Sequence, residues 1–118
     1  MADNVFECRD REGIRVVCSR ETWASHIVAE HPEMKGCESC VVATIEAPYQ
    51  VFQDRAFPDR RVVYRPFVLP RPMDRSYLRV VIEYKRRRFR KAYTGYVMTA
   101  FPVENKRKGD ILLWSQFS

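Results

Sequence analysis

Histidine is scarce in this chain of 118 residues: there are two, and both fall within Trp23-Ala-Ser-His26-Ile27-Val28-Ala-Glu30-His31-Pro32. Imidazole titrates nearest neutrality of all side chains, so the easiest acid–base chemistry is concentrated in that one stretch. Also missing is any apolar run long enough to span a bilayer, and Met1-Ala2-Asp3-Asn4 has neither the basic nor the apolar region of a secretory signal. These absences argue against a transmembrane helix and point to the cytoplasm. In that compartment Cys8, Cys18, Cys37 and Cys40 are expected as free thiols rather than as two disulfides. Cys37-Glu38-Ser39-Cys40 has the spacing of half a zinc site, which Cys8, Cys18, His26 or His31 would have to complete. A single C-x-x-C is a weak signal, and no metal or other cofactor is expected. There is no internal repeat and no low-complexity linker, which leaves one domain over 1–118.

What the chain has in excess is positive charge, +6 at pH 7 with a pI near 9.4. Such a balance points to a polyanionic partner or to phosphate chemistry. The run Lys85-Arg86-Arg87-Arg88-Phe89-Arg90-Lys91 places an aromatic among six cations, and Arg60, Arg61, Arg65, Arg71, Arg75 and Arg79 lie in the same half. Lys85, Arg86, Arg87, Arg88, Arg90 and Lys91 are therefore the candidate nucleic-acid contacts. A solvated hairpin tip that keeps an edge soluble is the plainer alternative.

The histidine stretch reads as a helix. Ser19 or Thr22 can cap its first amides and Pro32 disfavours helical geometry at His31, so it is expected from about Arg20 to Glu30 or His31. At about 100° per residue, Trp23, Ala24, Ile27 and Val28 form one apolar arc, with His31 inside it and His26 on its edge. The two imidazoles then stand about 140° apart. His26 is the one a substrate can reach. His31 reads as a core-facing anchor bonded to a carbonyl at a helix C-terminus.

Elsewhere the pattern is mostly β. Val5 to Cys8 and Ile14 to Cys18 make a small hairpin around Gly13. Val41 to Ala47 is expected as a strand for its β-branched content, with a short helix as the alternative, and Tyr49 to Gln53 as an extended edge. Arg61 to Phe67 alternates, and Pro66 implies a bulge or an exposed edge there. Tyr77 to Lys85 places Leu78, Val80, Ile82 and Tyr84 on one face and Arg79, Val81, Glu83 and Lys85 on the other. In Tyr93 to Phe101 strict alternation sets Thr94, Tyr96, Met98 and Ala100 against Tyr93, Gly95, Val97, Thr99 and Phe101. Ile111 to Trp114 closes the sheet. The expected class is α+β, an N-terminal hairpin and helix on an antiparallel sheet of four to five strands.

Trp23-x2-His26-Ile27-x3-His31-Pro32, the apolar run ending near Pro48, Val63-Tyr64-Arg65, Leu78-Arg79-Val80-Val81-Ile82, Met98-Thr99-Ala100-Phe101 and Leu113-Trp114 together resemble, in order and over nearly the whole chain, a family of small phage and mobile-element domains. That family belongs to the barnase, EndoU, colicin and RelE-like nucleases. The resemblance implies a BECR or RelE-like fold and metal-independent cleavage of RNA by a toxin or phage-effector domain. Its candidate catalytic residues are His26, His31, Tyr64, Arg65 and Thr99. Phe101 departs from the pattern, in which an aromatic with a hydroxyl is usual. Cleavage without a metal needs a base, an acid and donors for the phosphorane, which suits His26, a bidentate Arg65 and Thr99. Alternation puts Tyr64 and Arg65 on opposite faces, with Arg65 preferred as the functional one. The alternatives are an inactive RNA- or DNA-binding domain, or an interaction module neutralised by an acidic antitoxin or immunity protein.

Overall fold

The computed structural model describes residues 3–86 and 89–116. Strands β1 (Asn4–Arg9) and β2 (Arg15–Ser19) form the expected hairpin. Its turn is held by Gly13 at φ 83° and by the Asp10 carboxylate, which accepts the amides of Glu12 and Ile14 at 2.9 Å each. Ser19 Oγ then accepts the Thr22 amide at 3.0 Å and starts helical winding over 20–30, as the capping pattern predicts. Across Thr22–Val28 that winding is a π-helix. The expected apolar arc is corrected accordingly: Trp23 and Ile27 are buried but Ala24 is exposed, because a wheel of about 100° per residue does not describe the wider turn.

A 3₁₀ turn at Pro32–Met34 leads into α1 (Glu38–Glu46). This helix corrects the strand expected over 41–47. Val41, Thr44 and Ile45 are all buried at i, i+3, i+4 spacing, and the Thr44 hydroxyl donates to the Cys40 carbonyl at 2.9 Å. Burial of that stripe outweighs the β preference of branched side chains.

Strands β3 (Gln50–Gln53), β4 (Arg60–Pro66), β5 (Tyr77–Arg86), β6 (Tyr93–Val103) and β7 (Ile111–Ser115) complete one sheet in the order β1-β2-β6-β5-β4-β3-β7. The α+β class is as expected, but the sheet has seven strands and is mixed. The extra strands come from the hairpin, whose β2 runs parallel to β6 through Arg15↔Thr94, Val16↔Gly95 and Val17↔Tyr96. Gly95 fits there because a Cβ would lie 2.9–3.0 Å from Ile82, Tyr84 and Val16 side-chain atoms. Strand β3 is not the expected edge, since β7 crosses to its outer side. Nor does Pro66 make a bulge: it ends β4 beyond the residues paired with β3, so its missing N–H forfeits no ladder bond there. The chain bends one residue later, at Phe67 with φ 60°.

The helical segments cover one face of the sheet, where Ile27, Met34, Val41 and Ile45 pack on Val63, Leu78, Val80, Ile82, Val97 and Ala100. Each of these side chains larger than Ala100 contributes about 1.5–3 kcal/mol by leaving water. On the other face a smaller cluster of Val62, Tyr64 and Val81 is flanked by Phe52, Tyr77 and Val103. Strict alternation fails in β6. Pairing steps from Val81↔Thr99 to Ile82↔Val97, leaving Met98 as the extra residue of a β-bulge. Val97 and Ala100 thereby share the helix-side core, and Thr99 and Phe101 turn to the open face opposite Val81 and Arg79. No helix among the described residues is long and apolar enough to cross a membrane.

Candidate functional site on the open sheet face

Pairing of β2 with β6 stops at Val17↔Tyr96, and the π-helix packs beside the second half of β6. His31, at the end of the helical segment, stacks on Phe101 with ring centroids 4.5 Å apart and 18° between planes. Its Nδ1 lies 3.7 Å from the Glu33 carboxylate. The ring is half-buried and rests on an aromatic face, which corrects the expectation of a core-facing anchor bonded to a carbonyl. The physical reason is the free flank of β6, which lets the chain end around the sheet edge instead of under it.

Beside this stack stands Arg79, paired across the strands with Phe101, its Cζ 5.4 Å from the ring centroid. Arg79 Nε donates to the Tyr64 hydroxyl at 3.3 Å, and the Arg107 amide donates to the same oxygen at 3.1 Å. Tyr64 is only 1% exposed, clamped edge-on by Phe52 and Tyr77 at 5.5 and 6.3 Å. A buried phenol oxygen thus fixes the inner edge of the guanidinium. Among the described residues no carboxylate pairs with Arg79, so its charge is uncompensated on an uncovered face. Lys106 adds a second cation, donating to Gln50 Oε1 and lying 5.5 Å from the Tyr77 centroid. Thr99, half-buried, shares this face through the bulge.

Along β5 the same face continues through Glu83 to Lys85. Glu83 accepts from Arg60 Nε at 3.1 Å and lies 3.2 Å from Lys85 Nζ. Those two cations, Arg60 first, hold its carboxyl below the usual carboxylate range. From Arg79 to the basic tip is roughly 20 Å along the strand. At that tip Arg86 lies 5.8 Å from the Tyr93 ring, and Arg90 and Lys91 are exposed. Arg87 and Arg88 lie outside the described residues.

Of the five residues singled out as catalytic from sequence, Tyr64 accepts from Arg79, His31 stacks on the Phe101 ring that Arg79 also approaches, and Thr99 lies one pair along the same face. His26 is exposed on the π-helix. Arg65 is on the helix side, its Nη1 donating to the Ala43 carbonyl at 3.1 Å near the end of α1. In the sequence Arg79 is one of several arginines in the same half and stands on the polar face of β5, and Phe101 differs from the resembled pattern by its missing hydroxyl. No local sequence signal marks the bulge at Met98.

The cysteines do not converge on a zinc site. Burial pushes the thiols of Cys8 and Cys18 up to about 11 and about 12, and Cys37 Sγ donates to the Glu33 carbonyl at 3.8 Å. Among the described residues no three His, Cys, Asp or Glu side chains come together as a metal site would require. Comparison with protein-family models, curated proteins and solved structures finds no match to this chain.

Proposed function

We propose that the open face of β4, β5 and β6 binds single-stranded RNA and cleaves it, with His31 as the proton-transfer group and Arg79 as the cation that holds the scissile phosphate. One observation supports the reading: past the Met98 bulge Phe101 faces outward, stacked with His31 at 4.5 Å and with Arg79 Cζ 5.4 Å from its centroid. Bulges recur beside active sites because they re-aim a side chain. The reaction class is attack of the 2′-hydroxyl on its own phosphodiester. The O2′–P bond forms, the P–O5′ bond breaks, the 2′ proton leaves to a base and the 5′ oxygen takes a proton, leaving a 2′,3′-cyclic phosphate. An imidazole suits proton transfer near neutral pH, and a guanidinium suits the dianionic phosphorane. Thr99 is a donor for a non-bridging oxygen. Tyr64 acts as a positioning residue, through Arg79. The same face leads to the basic tip, where Arg86, Arg90 and Lys91 extend the phosphate path.

RNA binding without turnover is a second reading, favoured by a specific observation: His26 stays on the outer surface of the π-helix, so the face carries one imidazole rather than two. A cleavage assay in EDTA on a mixed panel of single-stranded RNAs separates the two. Cyclic-phosphate products that vanish with His31→Ala and persist with His26→Ala support cleavage. Salt-dependent binding with intact RNA throughout supports the second reading, and absence of binding to the panel removes both.

A further inference from the structure

The C-x-x-C pair has chemistry other than metal binding open to it. Cys37 is the N-cap of α1 and Cys40 stands in its first turn, with the Cys40 amide donating to the Cys37 carbonyl at 3.1 Å. A turn closed in this way keeps its first and fourth Cα atoms within about 7 Å, and a disulfide spans about 4.4–6.8 Å between Cα atoms. Burial first, and then the facing Cys40 thiol, hold the Cys37 thiol above the ordinary cysteine range.

The two thiols differ in their access to solvent. Cys37 is 4% exposed and its Sγ donates to the Glu33 carbonyl at 3.8 Å, whereas Cys40 is half-buried. Glu38, between them in the first turn of α1, has its Oε1 buried with no hydrogen-bond partner among the described residues. A carboxylate oxygen left so costs stability, and such groups are rare in folded proteins unless chemistry uses them. Cys8 and Cys18 are buried on the neighbouring strands β1 and β2, but they stand opposite Val16 and Phe6, not opposite each other. Cys37 and Cys40 are therefore the pair that local geometry sets up to join.

We propose that Cys37 and Cys40 are a reversible dithiol site that exchanges with low-molecular-weight disulfides, Cys40 taking the incoming sulfur and Cys37 resolving it. In the first step the Cys40 thiolate attacks one sulfur of the disulfide RSSR, the S–S bond of RSSR breaks, and one RS⁻ leaves and takes up a proton. In the second, the Cys37 sulfur attacks the Cys40 sulfur, the mixed S–S bond breaks and the second RS⁻ leaves. The Cys37 proton passes to the Glu38 carboxylate and from there to the departing thiolate. Two protein thiols are thus oxidised to one disulfide, and RSSR is reduced to two RSH. Closure is also felt at His31. A disulfide sulfur has no proton, so the donor to the Glu33 carbonyl is lost, and Glu33 is the residue whose carboxylate lies 3.7 Å from His31 Nδ1. None of this rests on the RNA reading, since the chemistry and its readouts need no RNA.

Equilibrating the intact protein in glutathione buffers of rising disulfide content tests the proposal, with an acid quench, alkylation of the remaining thiols in denaturant and peptide mapping by mass. The peptide carrying Cys37 and Cys40 should lose two hydrogens while Cys8 and Cys18 take the label, and dithiothreitol should reverse the change with the folded amide NMR spectrum kept throughout. Cys37→Ser, which retains a capping side chain, should stop with one glutathione on Cys40, and Cys40→Ser should take none at Cys37. Glu38→Gln should slow closure of the mixed disulfide about tenfold or more. Oxidation should shift the His31 ring protons in wild type and leave them in place in Cys40→Ser. A pair that stays reduced at the highest disulfide content would overturn the proposal, as would a bridge to Cys8 or Cys18, a wild-type mixed disulfide that never closes, or closure only with loss of the folded spectrum. Undiminished closure in Glu38→Gln would remove Glu38 from its role, and unmoved His31 protons would break the link to that ring.

Discussion

Phe101, on the open face of β6, carries His31 on its ring face with 4.5 Å between centroids, although His31 ends a helical segment that covers the other face of the sheet. A flat aromatic contact fixes the plane of the imidazole, and Glu33, 3.7 Å from Nδ1, faces one of its edges. Removing that imidazole should lower RNA cleavage by about 10²- to 10⁴-fold, the usual span for a general acid or base. His26→Ala should leave the rate within about twofold of wild type by the same argument, that only a group reaching the phosphate can transfer its proton. Equal losses in both variants, measured as cyclic-phosphate release in EDTA, would remove His31 from this role.

Arg79 and Arg65 provide a second contrast. Arg79→Ala removes the uncompensated cation and should reduce the salt slope of RNA binding by about one, besides costing about 1 kcal/mol for the lost donor to Tyr64. Arg65→Ala removes the donor to the Ala43 carbonyl and should cost about 1 kcal/mol in urea unfolding, with the salt slope unchanged. The reverse pattern would return Arg65 to the binding face.

Met98 makes a register prediction. Its side chain is 37% exposed, so Met98→Ala should change stability by less than about 0.5 kcal/mol and leave RNA binding intact. Deletion of Met98 removes the extra residue and leaves Val97 opposite Ile82 and Thr99 opposite Val81 in unbroken alternation, so Thr99 and Phe101 keep the open face. RNA binding and the upfield ring-current shift of the His31 protons should then both be retained. Loss of that shift in the deletion variant would show that Met98 is not the extra residue of this strand.

Alkaline pH should weaken the fold through Cys18. Burial disfavours the thiolate and pushes this thiol up to about 12, well above the ordinary range of a cysteine. The sign follows from linkage: this stability is fully present below pH 9 and is lost as pH rises toward 12, as the unfolded chain releases the proton first. Cys8, at about 11, acts in the same direction. Urea midpoints between pH 8 and 11 should fall more steeply for wild type than for Cys18→Ala, and parallel slopes would contradict the assignment.

Local rules went far with this chain because many of its boundaries are local events. The Gly13 turn, the Ser19 cap, the stop at Pro32 and the alternation of Leu78 to Tyr84 each depend on a few neighbouring residues, and each appears as read. Val41 to Ala47 misled because two branched residues opened the run, while the helical stripe of Val41, Thr44 and Ile45 acquires meaning only against a sheet that forms later in the chain. Likewise, nothing near Met98 announces a bulge; it follows from pairing with β5. The neighbourhood of His31 and Arg79 around Phe101 is therefore illegible in local pattern, although the resemblance implies roles for Tyr64 and Thr99.

The parallel pairing of β2 with β6 also sets an order of events. Val16 needs Gly95 beside it, and most of the chain must be synthesised between the two. The hairpin is made before β6 and can close on itself at Gly13, but its inner flank has no strand to join until β6 appears. Until then that flank is a sticky, unfinished margin, and its protection depends on how quickly β6 follows.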